Sequence, residues 1–474
     1  MELLLDVDRR DATSLHMQLE RALRDAVRAG RLRPATPLPG SRELAAQVGV
    51  SRGVVVEAYA QLCAEGYLAA RPGGRTRVAA ARGVAPAGAT VQPRQPPLRV
   101  DFHPGMPDLA SFPRAEWSRA LRRALAQAPD AALGYGDMRG AAELRGALAQ
   151  WLGRSRGVVA DPERMLVTTG FLHGLALVCR ALCAAGARTL AVEDPSWIAL
   201  RAVARHAGLD TVRVPVDGRG LRTDRLEQVA ADAVLVTPAH QSPTGVVLAP
   251  ERRGELLEWA TRRGALVIED DYDAEYRYDR GPVGALQGLA PDRVVYAGSA
   301  SKILAPGLRI GWLLLPASIH DAVVDERAHD DGGPPAIEHL ALAEMVSGGA
   351  LDRHLRRMRA RYRARRDALV RAIARHLPDA RIEGIAAGLS LLAVLPDGVD
   401  EAALVTAART RGVQVYGMSA QRFSSASYPP ALVFGYANLS DAAIERGVRL
   451  IAEARAAQSP PPALPSAHAH AARG

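Results

Sequence analysis

The chain has 474 residues, of which 48% are hydrophobic, 4% aromatic and 23% charged, and this length and composition predict a globular protein of two or three folded units with an aliphatic core. No apolar run approaches the roughly 20 residues that span a bilayer, and the N-terminus is short and acidic, so we expect a cytoplasmic protein without a membrane span. Because there are only three cysteines, we expect neither a disulfide framework nor a metal site. The net charge of +9 permits nucleic-acid binding without demonstrating it.

Residues 14–79 have the pattern of a compact helical unit that ends in a hairpin. The predicted helices run from Ser14 to about Ala29, from just after Pro39, and from Ser51 to about Glu65. Ser41 and Ser51 are expected to cap the second and third helices, and Gly49 to end the second. This is helix-turn-helix spacing, and a glycine turn after Gly66 predicts a short β-hairpin, or wing.

Arginines surround the predicted third helix. Arg52 follows Ser51 at its N-terminal end, where recognition helices contact base edges, and Arg42 precedes it as a phosphate contact. The arginines expected around the tip of the wing are Arg71, Arg75 and Arg77. A small dimerisation module with solvated arginines is the alternative interpretation. The order of parts resembles the winged helix-turn-helix of the GntR regulators, which implies DNA contacts from Arg42, Ser51 and Arg52.

The rest of the chain alternates apolar runs with amphipathic helical stretches. Residues 80–98, which are rich in Ala, Pro, Gly and Gln, predict a linker. The Pro- and Ala-rich residues 458–474 predict a disordered tail. His468 and His470 in this tail are more typical of a solvated tail than of a metal site. Residues 99–350 predict a large α/β domain with a mostly parallel sheet covered on both faces. After an arginine-rich helix near Leu351 to Leu377, residues up to 457 predict a smaller α+β domain.

Lys302 is the single lysine among 60 basic residues. An arginine keeps its proton at any relevant pH, whereas a lysine amine can lose its proton and attack a carbonyl. A lone lysine therefore indicates covalent amine chemistry, and a chance remnant of compositional bias is the alternative.

Polar residues follow several predicted strands, at the sheet edge where α/β proteins bind ligands. Pyridoxal phosphate needs an amine, a carboxylate for its pyridine nitrogen, a donor to its phenolate oxygen, an aromatic face and phosphate ligands. Lys302 is expected to form the Schiff base, Asp270 to supply the carboxylate, Tyr272 the donor and Trp197 the aromatic face. Asp271 takes the place of Asp270 if the strand register differs by one residue.

Phosphate ligands are expected from side chains and from backbone amides at the start of a helix. The candidates are Ser299, Ser301 and Arg309, together with the amides at Gly170 and Phe171.

The stretch from about Asp101 to Arg455 resembles the fold-type I aminotransferases, and the joined architecture resembles the MocR/GabR group of regulators. The run Ser299-Ala-Ser-Lys302 and the string Gly134-Tyr-Gly-Asp-Met-Arg-Gly carry much of this resemblance. It implies a head-to-tail homodimer in which each winged domain packs on the large domain of its partner. It also implies that Tyr135 reaches the cofactor phosphate of the other subunit.

Two departures from the aminotransferase pattern concern the cofactor. The loop Gly170-Phe-Leu-His173 lacks the side-chain phosphate ligands common in relatives that bind amino acids, so only its backbone amides are expected to contribute. Ser242 stands where aminotransferases have the asparagine that hydrogen-bonds the phenolate oxygen, and we expect that bond to be weakened or supplied by water.

A third departure concerns the substrate. Aminotransferases hold the substrate carboxylate with an arginine shortly before a Gly-Phe-Ala-like string, and this chain has Val433 near that place. The second arginine of the GABA-responsive relative would fall near Ala199, although Arg201 is close. A buried carboxylate without its arginine costs several kcal/mol, so we expect weak or no transamination of ordinary amino acids.

These observations favour a transcription regulator that binds a double-stranded DNA operator and senses pyridoxal phosphate, alone or as an adduct with a small amine or amino acid. Loss of the bond to Lys302 would change how two tethered DNA-binding heads are held on paired half-sites. The rival hypothesis is a working aminotransferase with an appended DNA-binding head, and the missing arginine argues against it. A dimerisation scaffold without cofactor is a third interpretation, which the intact cofactor residues disfavour.

Overall fold

The computed structural model describes residues 7–70, 74–79, 98–279, 281, 283–423 and 428–458. The chain divides into two units, Met1–Gln95 and Pro96–Gly474. The predicted linker and tail lie almost wholly outside the described residues, as do Arg71, His468 and His470. Among the described helices, none has the length and apolar character needed to cross a membrane.

The first unit consists of three helices and a hairpin. Their bounds are α1 Leu15–Arg28, α2 Ser41–Val48, α3 Arg52–Ala64, β1 Leu68–Ala69 and β2 Arg77–Val78. The two strands pair antiparallel, with Leu68 opposite Val78. Leu23, Leu44 and Val55, one from each helix, are fully buried in a common core, so the apolar faces of the three helices meet.

The ends of α2 and α3 test the predicted caps. Gly49 ends α2 in the left-handed conformation, and the Ser51 hydroxyl accepts a hydrogen bond from the Val54 amide at 3.4 Å, as predicted. The prediction for Ser41 was wrong, because Ser41 is the first residue of α2 and Gly40 is its cap. The Gly40 amide donates to the Glu43 carboxylate at 3.3 Å, which satisfies that amide without a serine.

The second unit contains three further sheets and twelve α-helices among its described residues. The strands are β3 Val100–Asp101, β4 Met165–Thr168, β5 Thr189–Asp194, β6 Asp210–Asp217, β7 Gly220–Leu221, β8 Ala233–Val236, β9 Leu266–Asp270, β10 Val294–Ser299, β11 Gly311–Leu314, β12 Arg381–Glu383, β13 Ser390–Val394, β14 Val413–Gln414, β15 Tyr416–Gly417 and β16 Ala431–Gly435. The helices are α4 Arg114–Gln127, α5 Ala142–Arg156, α6 Phe171–Ala184, α7 Ile198–His206, α8 Thr223–Leu226, α9 Pro250–Arg263, α10 Ala300–Ile303, α11 Ala317–Asp330, α12 Ala336–Ser347, α13 Ala350–His376, α14 Glu401–Thr410 and α15 Asp441–Ala456. A separate two-stranded pairing joins β3 and β14 in parallel.

The larger sheet has eight strands among the described residues, in the order β4-β11-β10-β9-β8-β5-β6-β7. The strands from β10 to β6 in this order run parallel, whereas β11 is antiparallel to both β10 and β4. Val267 and Ile268, successive residues of β9, enter different apolar clusters, so helices cover both faces of the sheet. The predicted α/β architecture, with its mostly parallel sheet, is confirmed.

A smaller antiparallel sheet follows, in the order β12-β13-β16-β15, with α13, α14 and α15 packed nearby. The start of the second unit also joins this part of the fold, because β3 pairs with β14 and the buried Phe102 ring packs edge-on against Phe434 at 5.0 Å. This pairing brings the residues that follow β3, up to Gly105, towards the edge of the large sheet where Lys302 lies.

Candidate functional site

The predicted site residues converge at one edge of the large sheet. The parallel strands β10, β9, β8 and β5 are neighbours, so their carboxyl ends lie side by side. The residues that follow these strands include Lys302, Tyr272, Ser242 and Trp197. Strand β4 ends at the same edge, because the antiparallel β11 between it and β10 begins there, with Gly311 opposite both Thr168 and Ser299.

Lys302 lies on the short helix α10, directly after β10. Its amine packs against the Gly105 backbone so closely that a Cβ on Gly105 would lie 3.2 Å from Nζ. Burial lowers the pKa of the Lys302 ammonium, and the carboxylates of Asp270 and Asp273 oppose that shift. A lowered pKa favours the neutral amine, which is the form that attacks a carbonyl.

The structure separates the roles of Asp270 and Asp271. The Asp271 carboxylate accepts hydrogen bonds from Arg156 Nε at 2.7 Å and Nη2 at 3.0 Å, and from the Tyr296 hydroxyl at 2.7 Å. Asp270, on the opposite side of β9, is buried and interacts with the charge of Lys302. Burial is the largest cause that raises the pKa of Asp270. The geometry therefore favours Asp270 as the carboxylate that faces the amine.

Tyr272 belongs to a buried polar group that the sequence did not predict. Its hydroxyl lies 3.2 Å from His240 Nδ1, which lies 3.1 Å from both carboxylate oxygens of Asp273. The Ser242 hydroxyl also hydrogen-bonds Tyr272. His240 lies in the same segment after β8 as Ser242. Its position as a polar residue directly after a predicted strand was the sequence feature that could have identified it.

Arg309 and Gly170, two of the predicted phosphate ligands, lie next to each other. Gly170 precedes α6 with φ of 85°, a left-handed value that favours glycine, and a Cβ there would lie 3.1 Å from the Arg309 guanidinium. Arg309 Nη2 donates to the Thr169 carbonyl at 2.7 Å, which holds the guanidinium at the start of α6. Phe171 is the first residue of this helix, whose first-turn amides and dipole favour an anion.

The other predicted ligands differ in placement. Ser299 is buried and Ser301 half-buried on either side of the start of α10. Trp197 is 44% exposed at the start of α7, at the end of β5. Tyr135 is 87% exposed, and nothing in this single chain brings it to the other site residues among those the structure describes.

The position of the expected substrate arginine is apolar. Val433 is 0% exposed in β16, where it packs with Leu392, Val394 and Met418. Its neighbour across the strands, Tyr416, donates to Asp101 at 3.2 Å. A carboxylate placed here would meet no cation from Val433.

Arg201 is engaged elsewhere in this state. Its Nη1 donates to the Arg422 carbonyl at 3.1 Å, and its guanidinium lies 4.3 Å from the centre of the Phe423 ring. Burial lowers the pKa of the Arg201 guanidinium, against the opposing effect of Asp194.

The donor set fits pyridoxal phosphate. A buried amine, a buried carboxylate, a phenol and a guanidinium at a helix start are the groups that this cofactor requires, and Gly105 places no side chain against the amine, where a Cβ would lie 3.2 Å from Nζ. When bound, the cofactor supplies an aldehyde that bonds amines and a ring that withdraws electrons from them.

In the first unit, the predicted DNA-binding side chains lie on and beside α3. Arg42 and Arg52 are exposed, and Arg52 Nε donates to the Ser41 hydroxyl at 3.4 Å. Arg75 is exposed near the end of the hairpin, whereas Arg77 Nη1 donates to the Ala35 carbonyl at 3.1 Å. Ser51 is the cap of α3, and Arg71 lies outside the described residues.

Two family matches divide the chain at the same place as the fold. Residues 15–78 match the bacterial regulatory proteins of the gntR family, and residues 105–451 match aminotransferase class I and II.

Similar proteins carry both parts. The chain is 34% identical to the probable rhizopine catabolism regulatory protein MocR of Rhizobium meliloti, covering 99% of each chain. It is 35% identical to the pyridoxine biosynthesis transcriptional regulator PdxR of Corynebacterium glutamicum, covering 90% of this chain and 92% of the relative. The transcriptional regulator TauR of Rhodobacter capsulatus is 32% identical, with 93% and 96% covered.

Solved aminotransferases share the fold of the second unit. The α-aminoadipate aminotransferase LysN of Thermus thermophilus, complexed with N-(5'-phosphopyridoxyl)-L-leucine, is 27% identical with a TM-score of 0.68, covering 76% of this chain and 92% of that one. Kynurenine aminotransferase of Pyrococcus horikoshii, in complex with PMP, is 26% identical with a TM-score of 0.69, covering 76% and 91%. The predicted cofactor, pyridoxal 5'-phosphate, is confirmed by this class of fold. The chain therefore belongs to the MocR/GabR-type transcription regulators, in which a DNA-binding region of the gntR family is joined to a pyridoxal-phosphate-binding aminotransferase-like domain.

Proposed function

We propose that this regulator senses pyridoxal phosphate, alone or joined to a small amine or amino acid, at the Lys302 site and passes that state to its operator-bound heads. The observation that carries the proposal is a full set of candidate cofactor groups in a chain whose buried, apolar Val433 stands where the aminotransferase pattern has the substrate arginine. A substrate carboxylate at Val433 would remain unpaired at a cost of several kcal/mol, which disfavours turnover of ordinary amino acids. The site is therefore suited to detect the cofactor or its adduct rather than to release a product.

The proposed roles of the site residues follow the geometry. Lys302 bonds the cofactor covalently, Asp270 faces the pyridine nitrogen and Tyr272 donates to the phenolate oxygen. Trp197 covers the ring from the end of β5. The proposed phosphate ligands are Arg309, Ser299, Ser301 and the amides of Gly170 and Phe171. Similarity to a pyridoxine biosynthesis regulator supports the cofactor itself as one signal. A taurine-, GABA- or ectoine-related ligand is a separate option.

The assembled regulator is proposed to be a cytoplasmic homodimer with a head-to-tail arrangement. Tyr135 is proposed to reach the cofactor phosphate of the partner subunit, and its 87% exposure in one chain supports this arrangement because the side chain is accessible to a second subunit. Two DNA-binding heads then read paired half-sites. A cofactor state that moves the heads changes affinity for both half-sites together.

The sensing proposal predicts a stable spectral response to one amine. Purified protein loaded with pyridoxal phosphate should show a visible absorbance band, and titration with amines such as taurine and GABA should shift that band for the correct effector. We expect the shifted spectrum to persist for hours with no keto acid or aldehyde released, and the same titration to change operator affinity. A shift that decays while product accumulates would instead identify an aminotransferase, and no band after added cofactor would refute the proposal.

The DNA-binding proposal predicts that Arg52→Ala weakens operator binding selectively. The exposed Arg52 guanidinium at the start of α3 is proposed to contact a base edge. Loss of such a contact costs about 1–3 kcal/mol in each half-site, or roughly 5- to 150-fold in affinity for each half-site. The measurement is a binding isotherm on a DNA fragment that the intact protein selects from random sequence.

Arg21→Ala, an exposed arginine on α1, is the matched control and should bind nearly as tightly as the wild type. Both variants should keep the cofactor spectrum. Equal losses in the two variants would mean that binding depends on total charge alone, and a bleached spectrum in Arg52→Ala would contradict the division between the two units.

A further inference from the structure

Asp273 and His240 form a buried pair behind Tyr272 that the proposed cofactor roles do not use. Their side chains are 1% and 4% exposed, and His240 Nδ1 lies 3.1 Å from each Asp273 oxygen. The same nitrogen lies 3.2 Å from the Tyr272 hydroxyl. One imidazole nitrogen is thus shared between a carboxylate and a phenol.

The chemistry of the pair fixes where the protons lie. An ionised carboxylate only accepts hydrogen bonds, so Nδ1 of His240 must carry the proton that faces Asp273. A protonated Nδ1 cannot accept a bond from Tyr272, so the phenol oxygen is the acceptor of this contact. Ser242 also hydrogen-bonds Tyr272 and opposes the rise in its pKa that burial causes, as a hydroxyl that donates to the phenol oxygen would. Because the single Nδ1 proton is shared between Asp273 and the phenol oxygen, that oxygen is a second acceptor of it, and Tyr272 has its own proton free for an outside acceptor.

The small sheet holds this pair in place. Gly388, just before β13, covers the pair so closely that a Cβ on it would overlap both the His240 ring and the Asp273 carboxylate. The Gly388 carbonyl accepts hydrogen bonds from the Tyr278 hydroxyl at 2.7 Å and the Tyr436 hydroxyl at 2.6 Å. On the other side, a Cβ on Gly245 would lie 3.2 Å from His240 Nε2. The imidazole therefore has little room to rotate or to exchange its contacts.

We infer that Asp273 and His240 are positioning residues that direct the Tyr272 proton towards the phenolate oxygen of the cofactor. They compensate for the hydrogen bond that an asparagine gives in aminotransferases and that Ser242, at the same position, does not. The inference rests on the proposed role of Tyr272. A donor to a phenolate oxygen stabilises its deprotonated form and lowers the pH at which the bound cofactor changes its absorbance. Loss of the pair should raise that pH midpoint.

The test compares pH titrations of the visible absorbance of cofactor-loaded variants. His240→Phe removes the donor but keeps an aromatic ring, and we expect its midpoint to rise by about 0.5–1 unit, a roughly three- to tenfold shift in proton affinity. Tyr272→Phe should raise the midpoint further. The charges of Asp270, Asp273 and Glu193 act on the phenol, and Lys302 interacts with Asp270 and Asp273; all four residues are unchanged in these variants.

The double variant His240→Phe/Tyr272→Phe decides whether the imidazole acts through the phenol. We expect it to match Tyr272→Phe, because an imidazole that acts only through Tyr272 has no effect once the hydroxyl is gone. His339→Phe controls for loss of a core imidazole, because His339 is buried on α12 next to Gly140, and it should leave the midpoint unchanged. An equal shift by His240→Phe in both backgrounds would overturn the inference.

The two levels of the proposal fail differently. If Tyr272→Phe leaves the midpoint unchanged, the role of Tyr272 in the proposed function is wrong. If Tyr272→Phe shifts it and His240→Phe does not, only the positioning role is wrong. Should His240→Phe not fold, His240→Gln is the alternative variant, because it keeps an amide donor. Its pH midpoint is expected to lie between those of the wild type and Tyr272→Phe. A midpoint at or beyond that of Tyr272→Phe would refute the role of the imidazole as a donor.

Discussion

Lys302→Ala is expected to lose the visible absorbance band of the cofactor completely. No other side chain in the sequence carries a primary amine, so covalent attachment has no alternative lysine. The buried Lys302 amine faces Asp270 and Gly105, where burial lowers its pKa and favours the nucleophilic form. The measurement is an absorbance spectrum, followed by borohydride reduction and peptide mass spectrometry, which should place the cofactor mass on Lys302 in the wild type.

Lys302→Arg is the matched control for charge. It keeps a cation beside Asp270 but provides no nucleophile at neutral pH, so it should lose the band as Lys302→Ala does. Both variants should retain DNA binding and lose only its response to added cofactor or amine. Retention of the reduced cofactor mass in either variant would show that the chain attaches the cofactor elsewhere, and the assignment of Lys302 would then be wrong.

The sequence predicted the edge of the sheet well because each strand there is a continuous apolar run followed by polar residues. The ends of β8, β9 and β10 could be located from this change of composition, and with them Ser242, Asp270 and Lys302. The choice between Asp270 and Asp271 could not be made, since neighbouring residues of a strand face opposite sides and a one-residue shift exchanges them. In the structure Arg156 and Tyr296 both hydrogen-bond Asp271, which supports Asp270 as the proposed partner of the pyridine nitrogen.

Contacts between distant segments account for what the sequence did not predict. His240 and Asp273 lie 33 positions apart and meet only because β8 and β9 are neighbours, and Gly388 reaches them from the small sheet. No local pattern encodes that meeting. The sequence likewise did not predict which apolar residues surround Val433, although it did show that no arginine stands at that position. The prediction that Ser41 caps α2 was wrong for a local reason. Gly40 is the cap instead, and the Glu43 side chain accepts the hydrogen bond of its amide.

Arg156→Met is expected to destabilise the second unit by about 3–5 kcal/mol, because breaking a buried ion pair leaves a charge without its partner. The Arg156 and Asp271 side chains are each 1% exposed and lie 2.7 Å apart. Methionine approximates the length of the side chain and restores some packing but no cation. The measurement is a urea unfolding curve of this unit, in which the absorbance of the bound cofactor reports unfolding. Its midpoint and slope give the free energy of unfolding.

Two further variants separate the buried charge from general disruption. Arg449→Met removes one partner of an exposed pair on α15, with side chains 52% and 49% exposed, and should cost below about 0.5 kcal/mol. Asp271→Asn added to Arg156→Met removes the unpaired charge while an amide oxygen can still accept from Tyr296. The double variant should therefore be more stable than Arg156→Met alone, since the two changes are coupled through one contact. Equal costs for Arg156→Met and Arg449→Met would mean that the buried pair adds nothing beyond a surface pair, and Asp271 would then lose its structural role beside Asp270.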